Sequence, residues 1–111
     1  MLTRDQRFAS SALGRIQSVK SDNKKEYKAA AQELPATVRS AGLMQALTFM
    51  KSRGGAHEKL LQDVAFTLGY NDETALLAAT RNAHLPQYIR LTEQVIDALQ
   101  WYKRLAQAEL D

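Results

Sequence analysis

The chain has 111 residues, 24% of them charged, with a net charge of +3 at pH 7 and no cysteine. A folded chain of this size exposes roughly 6,000 Å² out of roughly 18,000 Å², so one domain over residues 1–111 can bury a core without staples. Disulfides, thiolate zinc sites and a cysteine nucleophile are excluded, the longest apolar run (residues 75–79) is too short to cross a bilayer, and residues 1–7 lack the apolar run of a signal peptide, so a cytoplasmic protein is expected.

Alanine (17) and leucine (15) far outnumber isoleucine plus valine (7), which favours helices over strands because unbranched side chains lose little rotamer freedom in a helix. Thr3 with Gln6 forms a capping box that opens a first helix, along which Phe8, Ala9, Ala12, Leu13, Ile16 and Val19 recur at helical spacing. Ser21, Asp22 and Asn23 break the pattern, and Asp22 is the expected cap of a second helix with Tyr27, Ala30, Ala31 and Leu34 on its apolar stripe and Lys24, Lys25 and Lys28 off it. Proline disfavours a helical residue before it, so Leu34–Pro35 is read as a boundary and Pro35 as the first residue of a short third helix ending at Gly42. Leu43, Ala46, Leu47 and Met50 carry a fourth, with Phe49 reaching a neighbour, and Arg53, Gly54 and Gly55 form a loop. A fifth helix covers about 56–68, with Leu60, Leu61, Val64, Ala65 and Leu68 in its stripe and Gly69 closing it. Asp72 caps a sixth with Leu76, Leu77 and Ala79. After a turn over 82–85, Pro86 opens the longest helix, from about 86 to 109, through Tyr88, Thr92, Val95, Leu99, Tyr102 and Ala106, widened by Ile89 and Ile96. No strand signal, internal repeat or linker interrupts this order. The expected fold is all-α: a single compact bundle of about six or seven helices with a long C-terminal helix.

Charge is polarised along the chain. Residues 1–59 hold 11 Lys/Arg against 5 Asp/Glu, a net of +6, and residues 60–111 hold 4 against 7, a net of −3. A basic face able to attract a polyanion is one reading, and helix faces solvated by lysine are the other. Catalytic motifs are missing. His57 and His84 show neither the Glu-x-x-His nor the His-x-x-x-His spacing that puts metal ligands on one helix face. Gly54–Gly55 is not followed by the Lys-Ser/Thr of a phosphate loop, the serines lack an oriented base, and Asp72–Glu73 reads as a helix start. No enzyme is expected. Phe66 and Trp101 lie off the main stripes and should meet a second helix or a partner protein.

Four stretches in order along the chain carry a likeness: Gln6-x-x-Ala9-x-x-Ala12; Leu34-Pro35, then Arg39, then Gly42-Leu43-x-Gln45-Ala46-Leu47-x-Phe49; Tyr88-x-x-Leu91-Thr92-Glu93; and Trp101-Tyr102-Lys103-Arg104-x-Ala106. The sequence resembles the small helical subunit family of the type III-B CRISPR RNA-guided effector, the Cmr complex. It departs at Ala41, where that family more often has a polar residue, and at Tyr102, where an aliphatic residue is commoner. The resemblance implies a non-catalytic subunit with no cofactor, partnered by the other subunits of the complex, further copies of itself, guide RNA and target RNA, and by no membrane. A protein–protein adaptor without a nucleic-acid role is the alternative. An RNA strand held without sequence preference needs a positive groove along its phosphates, since guide pairing supplies the selection. The expected contacts are Lys20, Lys24, Lys25, Arg39, Lys51, Arg53, Lys103 and Arg104. Arg39, Lys103 and Arg104 lie in the matched stretches and the others follow from charge clustering. Arg39 and Arg104 are favoured over the lysines because guanidinium grips phosphate through paired hydrogen bonds.

Overall fold

Six helices form where the apolar stripes require them. A computed structural model describes residues 1–110, so that Asp111 lies outside the described residues. The helices are α1 (Arg4–Gln17), α2 (Lys24–Ala41), α3 (Leu43–Arg53), α4 (Gly55–Thr67), α5 (Glu73–Asn82) and α6 (Leu85–Glu109). A 3-10 turn, Ser21–Asn23, precedes α2, and no strand occurs among the described residues. The all-α expectation holds, including the long last helix.

Local chemistry sets most of the ends. The Thr3 hydroxyl accepts from the Gln6 N–H at 3.1 Å while the Gln6 side chain accepts from the Thr3 N–H at 2.8 Å, both halves of the capping box. The Asp72 carboxylate accepts from the Ala75 N–H at 2.9 Å to start α5. Gly42, at φ 93°, makes the sharp corner between α2 and α3 that a residue with a Cβ rarely adopts. Because Gly42 brings no side chain to cap α3, the Tyr88 hydroxyl does so from α6, accepting from the Met44 N–H at 3.0 Å.

Four expectations are corrected. Leu34–Pro35 is not a boundary, because α2 runs through Pro35. Pro35 has no N–H for the Ala31 carbonyl, but Leu34, Pro35 and Val38 are all buried, and that packing offsets the missing hydrogen bond. Asp22 does not cap α2; Asn23 holds that position and its side chain makes no cap bond. Gly54 alone separates α3 from α4, so the loop expected over 53–55 is a one-residue break, and Pro86 is the second residue of α6, not the first.

The buried side chains form one cluster that draws on all six helices. The chain exposes 6329 Å², in line with its size. α6, 25 residues and about 37 Å long, packs along both α1 and α2 and is the spine of the bundle. Phe8, Ala12, Ile16 and Val19 are buried as expected, as are Tyr27, Ala30, Ala31 and Leu34, and in α6 the buried stripe is Leu91, Val95, Ala98, Leu99, Tyr102 and Ala106.

A polar hub lies inside this apolar core. Asp63 of α4 is fully buried. One carboxylate oxygen accepts from Arg15 Nε of α1 at 2.8 Å and from Lys59 Nζ at 2.5 Å, and the other accepts from the Tyr27 hydroxyl of α2 at 2.7 Å. The Asp63 backbone carbonyl takes the Tyr102 hydroxyl of α6 at 2.9 Å. With that proton committed, Thr67 donates to Tyr102 at 2.7 Å, and Ser11 of α1 donates to Thr67 at 2.7 Å. Four helices are thus tied at one point. Burial, and then the Asp63 charge and hydrogen bond, push the Tyr27 phenol far above its usual range; burial does the same to Tyr102.

Candidate nucleic-acid interface

The expected phosphate contacts fall into separate places on the surface. The core face of α2 takes Tyr27, Ala30, Ala31, Leu34, Pro35 and Val38, so its lysines turn outward. Lys24, Lys25 and Lys28 line a groove of about 640 Å³ with Ser21, Ala29, Gln32 and, from the end of α6, Leu110. Gln32 Nε2 is buried there and has no hydrogen-bond partner among the described residues. Lys25, Gln32 and Arg39 recur every seven residues and share one face of α2, with Arg39 exposed about 21 Å along the axis from Lys25. Lys103 lies two turns before Leu110 on α6 and does not itself line this groove. Lys20 is exposed just before the 3-10 turn. The first turn of α2 also brings the positive end of its helix dipole, without a side-chain cap, to the same end of the molecule. The carbonyl end of α6 meets the groove at Leu110 and balances part of this charge.

Lys103 and Arg104, adjacent in sequence, are separated by the helix. Arg104 is exposed and lies over the Trp101 ring, 5.6 Å from its centre, beside Arg4, Asp5, Asp97 and Gln100. Arg4 is ion-paired with Asp97, while Arg104 has no ion pair among the described residues. Trp101 packs partly on the core, and Phe66 carries Arg15 at 4.7 Å, so each off-stripe aromatic meets a basic side chain of the chain itself. Lys51, one of the expected phosphate contacts, is ion-paired within the chain. It reaches Glu58 at 2.7 Å and Glu73 at 3.8 Å, bridging α3 to α4 and α5, and the Glu58 hydrogen bond above all raises its pKa.

Arg53 occupies another cleft, of about 280 Å³, between α2 and the α3–α4 corner. Glu26, Ala29, Ala30 and Glu33 of α2 form one side, and Phe49, Arg53 and His57 the other. Phe49 does reach a neighbouring helix: its ring meets His57 edge-on at 5.8 Å and 86°. The sequence reading missed this cleft, although Glu26, Ala29/Ala30 and Glu33 recur at intervals of three and four and Phe49 and Arg53 are one turn apart. Partial burial, then the nearby Arg53 charge, lowers the His57 pKa below its usual 6.5, against the opposing pull of Glu33 and Glu26. A base harder to protonate in the folded state gives stability that is intact above pH 6.5 and lost as pH falls through that value, because the unfolded chain then binds more protons. Wild-type stability measured against His57→Gln therefore declines between pH 7.5 and pH 5.5 in urea titrations; a difference independent of pH would remove His57 as the titrating group.

Among the described residues, no group of three or more His, Asp or Glu is placed to hold a metal ion, and no helix is long and apolar enough to cross a membrane. The class that emerges is a small all-α bundle that is rigidly tied inside and carries basic and aromatic clefts outside. The profile of the family described as CRISPR-associated protein (Cas_Cmr5) matches residues 4–109, and the chain belongs to that family. It is 45% identical over 113 aligned residues to the CRISPR system Cmr subunit Cmr5 of Thermus thermophilus, covering 100% of this chain and 99% of that protein. It is also similar to the X-ray crystal structure of a CRISPR-associated Cmr5 family protein from Thermus thermophilus, with a TM-score of 0.95, 44% identity, and coverage of 99% of this chain and 100% of that one.

Proposed function

We propose that this chain is the small, non-catalytic subunit of a type III-B CRISPR effector, the Cmr complex, acting in the cytoplasm. In this reading it stacks along the complex and holds guide–target RNA through phosphate contacts that ignore sequence. Family membership and the full-length likeness to a named Cmr subunit support the place in the complex. The observation that carries the RNA role is the basic row of α2: Lys24 and Lys25 at its uncapped start, with Arg39 in line along the same helix. Lys20 and Lys103 extend it at its two flanks, and Arg104 beside Trp101 offers a second, stacking contact. Lys51 contributes least, because its charge is already met by Glu58 and Glu73. The opposite net charges of the two halves of the chain suit a heterologous contact, in which the basic surface of one copy meets the acidic surface of the next.

Through these phosphate contacts the free protein should bind single-stranded RNA weakly, with a salt dependence that is the same for any sequence. About four phosphate contacts give a slope near −3 in log affinity against log salt, at roughly 0.7 per contact. Fluorescence anisotropy with an oligouridine and a mixed-sequence RNA, over roughly 50 to 300 mM salt, measures it (~3-unit slope expected). A flat salt dependence would instead favour the adaptor reading.

A further inference from the structure

The cleft between α2 and the α3–α4 corner has a composition that phosphate binding does not explain. Two carboxylates, Glu26 and Glu33, stand two turns apart on α2, and a phosphate would avoid them. Between them the helix presents only Ala29 and Ala30, so the floor is low and flat. The facing wall carries Phe49, 43% exposed although it is a large apolar ring, with Arg53 one turn further along α3 and His57 against its edge. The volume, about 280 Å³, falls just below the roughly 300–1,000 Å³ of pockets that take drug-sized ligands, and so suits a single ring system.

An exposed aromatic ring, a guanidinium and carboxylates around a flat floor make the donor and acceptor set that reads an unstacked base. Stacking on Phe49 replaces the base's own neighbours in the strand. Arg53 can donate to the paired acceptors O6 and N7 that only guanine offers, and a glutamate can accept from guanine's N1–H and exocyclic amine. Adenine presents an amine where guanine presents O6, which leaves Arg53 facing a donor. The pyrimidines offer a smaller face for stacking. We propose that this cleft binds a guanine base turned out of a single RNA strand, with Phe49 as the stacking platform, Arg53 on its acceptor edge and Glu26 or Glu33 on its donor edge. His57, whose protonation is disfavoured by partial burial and the nearby Arg53 charge, packs edge-on against Phe49 and supports the platform. The inference rests on the RNA-binding reading, and it adds a base preference to contacts that otherwise carry none.

The test uses the full chain and free mononucleotides, so it does not depend on the α2 groove. GMP, AMP, CMP, UMP and inorganic phosphate are titrated into the protein while the ring resonances of Phe49 and His57 are followed by NMR. GMP should shift these rings at lower concentration than the other three nucleotides, and inorganic phosphate should leave them unmoved. Phe49→Ala, at an exposed position, should weaken GMP binding by about tenfold or more. Glu26→Gln with Glu33→Gln should reduce the preference for GMP over AMP while circular dichroism stays unchanged. Equal responses to all four nucleotides, or a response to phosphate alone, would overturn the proposal. Oligouridine binding by the same sample separates the two readings: salt-sensitive RNA binding without a GMP response sinks only the base site, and a GMP response without RNA binding sinks the phosphate groove.

Discussion

Replacing Asp63 by alanine should lower the free energy of unfolding by about 3 kcal/mol, the low end of what removing one partner from a buried ionic cluster costs. The low end applies because Arg15 and Lys59 are about a third and a quarter exposed and can turn to water when the carboxylate goes. Tyr27 has no such escape. Its hydroxyl is buried with Asp63 as its acceptor, and an orphaned donor there accounts for about 1–3 kcal/mol by itself. For a domain of this length the change corresponds to a drop in Tm of about 10–15 °C. Asp63→Asn keeps the volume and an acceptor for Tyr27 but loses the charge that holds Arg15 and Lys59, so it should fall between wild type and alanine. Tyr27→Phe combined with Asp63→Ala should cost less than the sum of the single changes, by about 1–2 kcal/mol, because the two groups share one hydrogen bond. Urea unfolding followed by circular dichroism measures wild type and all four variants. A loss below about 1 kcal/mol for Asp63→Ala would mean that the hub specifies helix placement without stabilising it.

That hub also marks the limit of what the sequence makes legible. Periodicity shows which positions are apolar, and so it located the helices and nearly all of the core, from Phe8 to Ala106. It is silent on a lone charged residue inside an apolar stripe. Asp63 lies between Leu60, Leu61 and Val64, where helical spacing alone suggests a residue at the water boundary, and only the arrival of Arg15, Tyr27 and Tyr102 from three other helices makes burial tolerable. Tyr102 stands where the resembling family more often has an aliphatic residue, and its hydroxyl makes two of the network's bonds. Pro35 was misread for a related reason. The rule against a helical residue before proline is local, whereas the burial of Leu34, Pro35 and Val38 against the rest of the bundle is tertiary and stronger. Among the basic residues, sequence clustering grouped Lys51 with the lysines of α2 and could not tell that Lys51 meets Glu58 and Glu73, because those partners lie on two other helices. Lys103 and Arg104 are likewise adjacent in sequence, but the step of about 100° between neighbours on a helix turns their side chains apart, and only Arg104 lies beside Trp101.

Reversing the charge of the α2 row, Lys24→Glu with Lys25→Glu and Arg39→Glu, should weaken binding of single-stranded RNA by about 100-fold at about 100 mM salt, with each exposed phosphate interaction taken as about 1 kcal/mol. The salt slope should fall at the same time by about 2 units, from near −3 to near −1, because three phosphates then keep their counterions. Misfolding is a poor explanation for such a result. Lys24 and Lys25 stand in the first turn of α2, next to the positive end of its dipole, where glutamate is more favourable than lysine, and Arg39 is exposed near the far end. Lys51→Ala provides the contrast. Lys51 has the same charge and comparable exposure, but its partners are Glu58 and Glu73, so RNA affinity and slope should change by no more than about twofold. Anisotropy titrations at several salt concentrations distinguish these outcomes. If the triple variant kept the wild-type slope, the α2 row would not be the phosphate track, and the second cluster at Arg104 and Trp101 would take its place. If Lys51→Ala flattened the slope as much as the triple change, the site would be set by net charge and not by position, and the argument from the α2 face would fail.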